Sequence, residues 1–144
     1  MINVWVMSAN AYRIYVVEDS PILLRLLRDM LSGIPGARFI GHADRADKAI
    51  TEIVDKQPDA IIVDLMLQTG TGFDVLEAVG QQSAKAPLAI VLTNFTMPPH
   101  PEWAERLGAA YFFDKGTEIL SMFRVMRELV EKHQKKSNRN HNHG

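Results

Sequence analysis

An α/β fold built on one parallel sheet with helices on both faces is what these 144 residues predict, on three observations. Short apolar runs rich in β-branched residues alternate along the chain with longer stretches whose apolar positions recur at helical spacing. The runs are apolar at successive residues, as strands covered on both faces are, and such strands pair in parallel across helical crossovers. Four of the runs end in chemically capable residues: Glu18-Asp19, Asp64, Thr93 and Lys115. Right-handed crossovers would gather all of these at the carboxyl edge of the sheet, where open α/β sheets place their sites.

The first strand is read at about Arg13 to Val17. Ser20-Pro21 opens a helix, with serine as N-cap and proline in the first turn, and its expected stripe is Ile22, Leu23, Leu26, Leu27, Met30 and Leu31. Gly33 stops it. A second strand near Arg38 to His42 leads to a helix marked by Ala46, Ala49, Ile50, Ile53 and Val54, which Lys56-Gln57-Pro58 breaks. The third strand is Ala60 to Val63, and Gly70-Thr71-Gly72 precedes a helix through Val75, Leu76 and Val79. The fourth strand is Leu88 to Leu92. Three prolines between Met97 and Pro101 leave only a short helix, roughly Glu102 to Leu107. The last strand is Ala110 to Phe113. Thr117 is expected to cap the final helix, whose stripe is Ile119, Leu120, Phe123, Met126, Leu129 and Val130.

Residues 12–134 thus form one domain. Residues 135–144 are polar and expected to be disordered. Residues 1–11 are an N-terminal extension. Its alternating stretch Ile2–Met7 is either an added edge strand or contact surface, or non-native sequence with Met7 as the natural start. That stretch lacks a basic leader and is too short for export, and nowhere do ~20 apolar residues run together to span a membrane. A net charge of −1 gives no general nucleic-acid footprint, and zero cysteines exclude disulfides and thiol chemistry, which fits a cytoplasmic protein.

A carboxylate at the end of a buried strand is costly unless something there uses its charge. Glu18, Asp19 and Asp64 in one pocket call for a cation, and Mg²⁺ is the ion expected, held by Asp19, Asp64, Glu18 (directly or through water) and the backbone carbonyl of Met66. Asp64 is read as a phosphoryl acceptor, Lys115 as the pair for one phosphoryl oxygen and Thr93 as the hydrogen-bond donor to another. Each residue alone has an ordinary explanation; acids before a helix, for instance, simply suit its dipole. Four strand ends carrying such residues in this order do not. His42, by contrast, reads as a loop or core histidine, and His141 and His143 as inert tail residues.

In these residues the chain resembles the receiver domain of two-component response regulators. The resemblance spans about Tyr12 to Gln134. It rests on Val16-Val17-Glu18-Asp19-Ser20, on Val63-Asp64-Leu65-Met66-Leu67 with Gly72 eight residues past the aspartate, on Leu92-Thr93 and on Phe112-Phe113-Asp114-Lys115. It implies a flavodoxin-like fold of five strands and five helices. It also implies a histidine kinase or histidine phosphotransfer protein as donor to Asp64, and a switch in which Thr93 moves toward the phosphorylated aspartate while Phe112 turns inward. Gln68 and Gly116 stand where proline is common, which puts a cis Lys115–Gly116 bond in doubt.

The expected function is that of a stand-alone, phospho-switchable receiver, monomeric or weakly dimeric, acting by protein contact or onward phosphotransfer. It would be no enzyme beyond its own phosphorylation and dephosphorylation. The alternative is a receiver excised from a larger hybrid kinase or transcription factor. Two enzymes on the same fold are disfavoured. A phosphoaspartate phosphatase wants a second aspartate where Met66 stands, and a flavodoxin wants a phosphate loop where Glu18-Asp19 stands.

Overall fold

The computed structural model describes residues 10–82 and 85–141. Strands and helices alternate throughout: β1 (Tyr12–Val17), α1 (Pro21–Ser32), β2 (Ala37–Ala43), α2 (Ala46–Lys56), β3 (Ala60–Val63), α3 (Gly72–Gly80), β4 (Leu88–Thr93), α4 (His100–Arg106), β5 (Ala109–Asp114) and α5 (Ile119–His141). The strands form one parallel sheet in the order β2-β1-β3-β4-β5. This is the flavodoxin-like order, in which the chain reverses its direction of winding between β1 and β3. The crevice of that reversal opens between the carboxyl ends of those two strands, where Glu18-Asp19 and Asp64 emerge.

Each sheet face has its own core. Ile14, Val16, Ile62, Ile90 and Leu92 pack under α1 and α5 with Leu27, Leu31, Met122, Phe123, Met126 and Val130. Tyr15, Val17, Ile61, Val63 and Val91 pack on the other face against Ala49, Ile53, Val75, Leu76, Val79 and Ala104. Two-sided burial is why the central strands read as unbroken apolar runs.

Ser20 caps α1 as the sequence indicates. The Leu23 amide donates to Ser20 Oγ at 3.3 Å. Thr71 caps α3 in a reciprocal box with Asp74, which the sequence reading did not identify.

Three expectations change. Ile22 is 85% exposed, and Leu26 and Leu120 also face solvent, while Met122 is buried in the core. The six stripe residues of α1, spread over Ile22 to Leu31, cover a wider arc than the sheet can touch, so the outermost of them project past it. Thr117 does not cap α5, which starts two residues later, after Glu118. The final helix also runs on to His141, through residues 135–141 that were expected to be disordered. From Ile119 to His141 there is neither glycine nor proline, and Lys, Gln and Arg are good helix formers. Gln134 there is tied down, its Nε2 donating to Asn10 O at 2.8 Å. The Lys115–Gly116 peptide is trans. The reading of Ile2–Met7 lies outside the described residues, as does His143.

Candidate functional site

Strand register brings the four strand ends together. Val17 aligns with Val63, and Val63 with Val91, so the residues just beyond them emerge side by side. The Asp64 amide donates to Val17 O at 3.0 Å, and the Lys115 amide donates to Thr93 O at 2.9 Å. Backbone ladders therefore extend one residue past the strands and fix where each functional side chain begins.

The acids converge. One carboxylate oxygen from each of Glu18, Asp19 and Asp64 lies within 4.8 Å of the others. Glu18 and Asp64 are buried and Asp19 is half-exposed. Lys115 reaches in from the end of β5, with Nζ 2.6 Å from Asp64 Oδ2 and 2.9 Å from Glu18. One ammonium thus pairs with two of the three carboxylates. Burial pushes the Glu18 carboxyl above its usual range, with Lys115 opposing that and the Asp64 charge adding to it. Burial also works against the Lys115 charge, but its bonds to Asp64 and Glu18 outweigh burial and leave the ammonium harder to deprotonate. A site with three gathered carboxylate oxygens and too little positive charge fits a hard divalent cation.

Local backbone contacts orient the acids. The Ser20 amide donates to Glu18 Oε1 at 3.1 Å and the Met66 amide to Asp64 Oδ1 at 3.3 Å. Gly72 explains its own position eight residues past Asp64: a Cβ there would lie 2.2 Å from the Asp64 carbonyl oxygen. Only glycine lets α3 start against the loop that carries the aspartate.

Thr93 is fully buried, and its Oγ1 accepts from the Phe95 amide at 3.2 Å. Phe112 is half-buried against the core on the α3 side. Met66 has an exposed side chain. All the sequence-predicted acids, with Thr93 and Lys115, thus lie at one edge of the sheet. His42 is exposed; it lines, with Asp44 and Lys48, a recess beside Glu18 and Asp19.

Sequence reasoning missed an aromatic group at the next loop. The His100 ring lies 6.1 Å from Phe73, 6.2 Å from Phe95 and 5.9 Å from Trp103. Its members follow no helical or strand period, so only folding reveals it. A signal did exist for a second feature, the turn after β5: Asp114, then Gly116, then Glu118.

The family model for the response regulator receiver domain matches residues 14–127. The chain is 31% identical over 109 residues to protein-glutamate methylesterase/protein-glutamine glutaminase 3 of Geobacter sulfurreducens, covering 76% of this chain and 29% of that protein. It is 28% identical over 119 residues to the uncharacterized transcriptional regulatory protein YvfU of Bacillus subtilis, covering 83% and 59%. The chain therefore spans only part of these relatives. Among solved structures, the response regulator domain of Thermotoga maritima CheB superposes with a TM-score of 0.70 at 25% identity, over 89% of this chain and 97% of that one. A LuxR-family response regulator from Aurantimonas reaches 0.76 at 20% identity, which speaks to the fold alone.

Proposed function

This chain belongs to the response regulator receiver domain family, and on that premise we propose that it accepts a phosphoryl group on Asp64 from a histidine kinase or histidine phosphotransfer protein. The observation that carries this is the position of the Asp64 carboxylate. It accepts from Lys115 at 2.6 Å, stands within 4.8 Å of both other acids, and leaves β3 between the strand that carries Glu18-Asp19 and the strand that ends in Thr93.

In the transfer, an Asp64 oxygen attacks the phosphorus as the phosphorus–nitrogen bond of the donor's phosphohistidine breaks, and the imidazole leaves. The protein's task is to position the carboxylate and offset charge, because two negative groups must meet. Asp19, Asp64 and Glu18, with the Met66 carbonyl, would hold Mg²⁺, which when bound supplies positive charge to a phosphoryl oxygen. Lys115 exchanges its bond to Asp64 for one to a phosphoryl oxygen. Thr93 Oγ1 now accepts from Phe95; turning its hydroxyl toward the phosphoryl group would disturb that contact and shift the segment that follows. Phe112 has no hydroxyl, so packing alone would hold it further inward.

Output would be protein contact or onward phosphotransfer, by a monomer or weak dimer in the cytoplasm. Among the described residues no helix is long and apolar enough to cross a membrane. Incubation with acetyl phosphate and Mg²⁺ is expected to add one phosphate per chain, by intact mass, and none to Asp64→Asn. Full labelling of that variant would refute the assignment.

A further inference from the structure

We propose that Asp114 and Glu118 are positioning residues for Lys115: they clasp the turn that carries it and hold its ammonium over Asp64. This rests on the phosphoryl-acceptor reading above. Lys115 begins the short connection between β5 and α5, and Gly116 follows it with no side chain to restrict the backbone. A long, flexible lysine on such a turn would lose much conformational freedom on reaching a defined place. Yet Nζ sits 2.6 Å from Asp64 and 2.9 Å from Glu18.

Four hydrogen bonds restrain the turn. Asp114 Oδ1 accepts from the Gly116 amide at 2.7 Å, and the Asp114 amide donates to Glu118 Oε1 at 3.0 Å. The Glu118 amide donates to Asp114 O at 2.8 Å, closing the ring, and the Lys115 amide donates to Thr93 O at 2.9 Å, tying it to β4. β5 is an edge strand, so the Asp114 amide has no further strand to pair with and takes the Glu118 carboxylate instead. The Gly116 bond is short and charge-assisted.

The ordinary alternative is that these acids only start α5. The two roles separate in what they move. A helix start changes thermal stability alone. A clasp changes how well Lys115 meets a phosphoryl group, without touching the acids that bind metal.

The test uses beryllofluoride, a phosphoryl mimic, titrated calorimetrically in excess Mg²⁺, with Mg²⁺ alone titrated in parallel. Asp114→Ala and Glu118→Ala are each expected to weaken beryllofluoride binding about fivefold, the loss of one charge-assisted bond partly exposed to water. Mg²⁺ affinity is expected to stay at the wild-type value. Asp114→Asn and Glu118→Gln keep an acceptor oxygen and should restore binding. Removing a negative charge by itself would strengthen anion binding, so weakening in the alanine variants cannot be a charge effect. Amide exchange at Gly116 should accelerate in Asp114→Ala and not in Asp114→Asn. Wild-type beryllofluoride affinity in both alanine variants, an equal loss of Mg²⁺ affinity, or amide-retaining variants as weak as alanine would each overturn the clasp. If Asp114→Ala does not fold, the Glu118 pair decides. A wild-type protein that binds no beryllofluoride overturns the acceptor reading itself, an outcome visible before any variant is made.

Discussion

Glu18 and Asp64 are 3% and 5% exposed, and each leaves a strand whose register is set by its neighbours. Phe95, Met97 and Trp103, in the segment leading out of β4, are all exposed, Met97 by 71%. On the acid side Glu18, Asp64 and Lys115 are held by backbone ladders and side-chain bonds, and the loop after Asp64 by the close approach of Gly72. On the β4–α4 side, rings lean on one another around His100 with solvent at their edges. Buried charge admits few arrangements, since each displaced atom leaves an unpaired group behind. Exposed rings rearrange at little cost, so the second region suits a change of surface and the first suits chemistry.

The largest effect is expected from withholding Mg²⁺ from the proposed site. With EDTA, or in Asp19→Asn, phosphotransfer measured by radiolabel is expected to fall at least about a hundredfold, the loss of a several-kcal/mol charge contribution. Undiminished transfer in EDTA would refute the metal role and with it the electrostatic account of the acid side.

Rigidity is tested next, by Gly72→Ala. The added methyl would meet the Asp64 carbonyl oxygen at 2.2 Å, so backbone must move. The expected cost is about 3 kcal/mol in denaturant unfolding, the upper range for overpacking. Wild-type stability would mean the loop after β3 yields as easily as the aromatic region.

The exposed side enters through phosphate lifetime. Water must approach in line with the bond from Asp64, and we expect that path to be flanked by Met66 and Phe95, both apolar and exposed. Neither side chain can orient a water by hydrogen bonding. A Met66→Asn, Phe95→Glu double variant is expected to lose phosphate several-fold faster than wild type. Equal or slower decay would remove these side chains from the hydrolysis path.

The smallest effect sharpens the charge argument. Burial raises the Glu18 carboxyl's pKa despite Lys115, with Asp64 adding to the rise. A raised acid stabilises the fold fully below its unfolded pKa, and that contribution is lost as pH rises through the folded one. Glu18→Gln carries no charge to lose. Its metal-free Tm is therefore expected to exceed that of wild type at neutral pH, and the gap should close as the pH falls to about 4. A gap independent of pH would mean that packing, not charge, separates the two.

Much of the site was legible because each part is local. A strand, the residue at its end and the helix start after it lie within a dozen residues of one another. Glu18-Asp19 before Ser20-Pro21, Asp64 after Ala60–Val63 and Lys115 after Phe113 could therefore be read in place. Other features were not local. Whether Ile22, Leu26 and Leu120 are covered depends on how much of each helix the sheet reaches, and the apolar period cannot state that arc. The aromatic group around His100 joins α3 to the segment after β4, with no repeating spacing to reveal it. The length of α5 was misjudged because polar composition was read as disorder, although helix propensity and the Gln134 contact with Asn10 favour order.

By itself the sequence determined the alternation of elements and the identity of the acids and the lysine that gather at the strand ends. These follow from apolar runs, caps and the cost of burying charge, all of which act over short stretches of chain. Only the tertiary structure decided that Lys115 meets Glu18 across 97 residues of separation, and that Gly72 lies against Asp64. Strand order did that, because β1, β3 and β4 become neighbours through the pairing of backbones distant in the chain. No local spacing records that pairing.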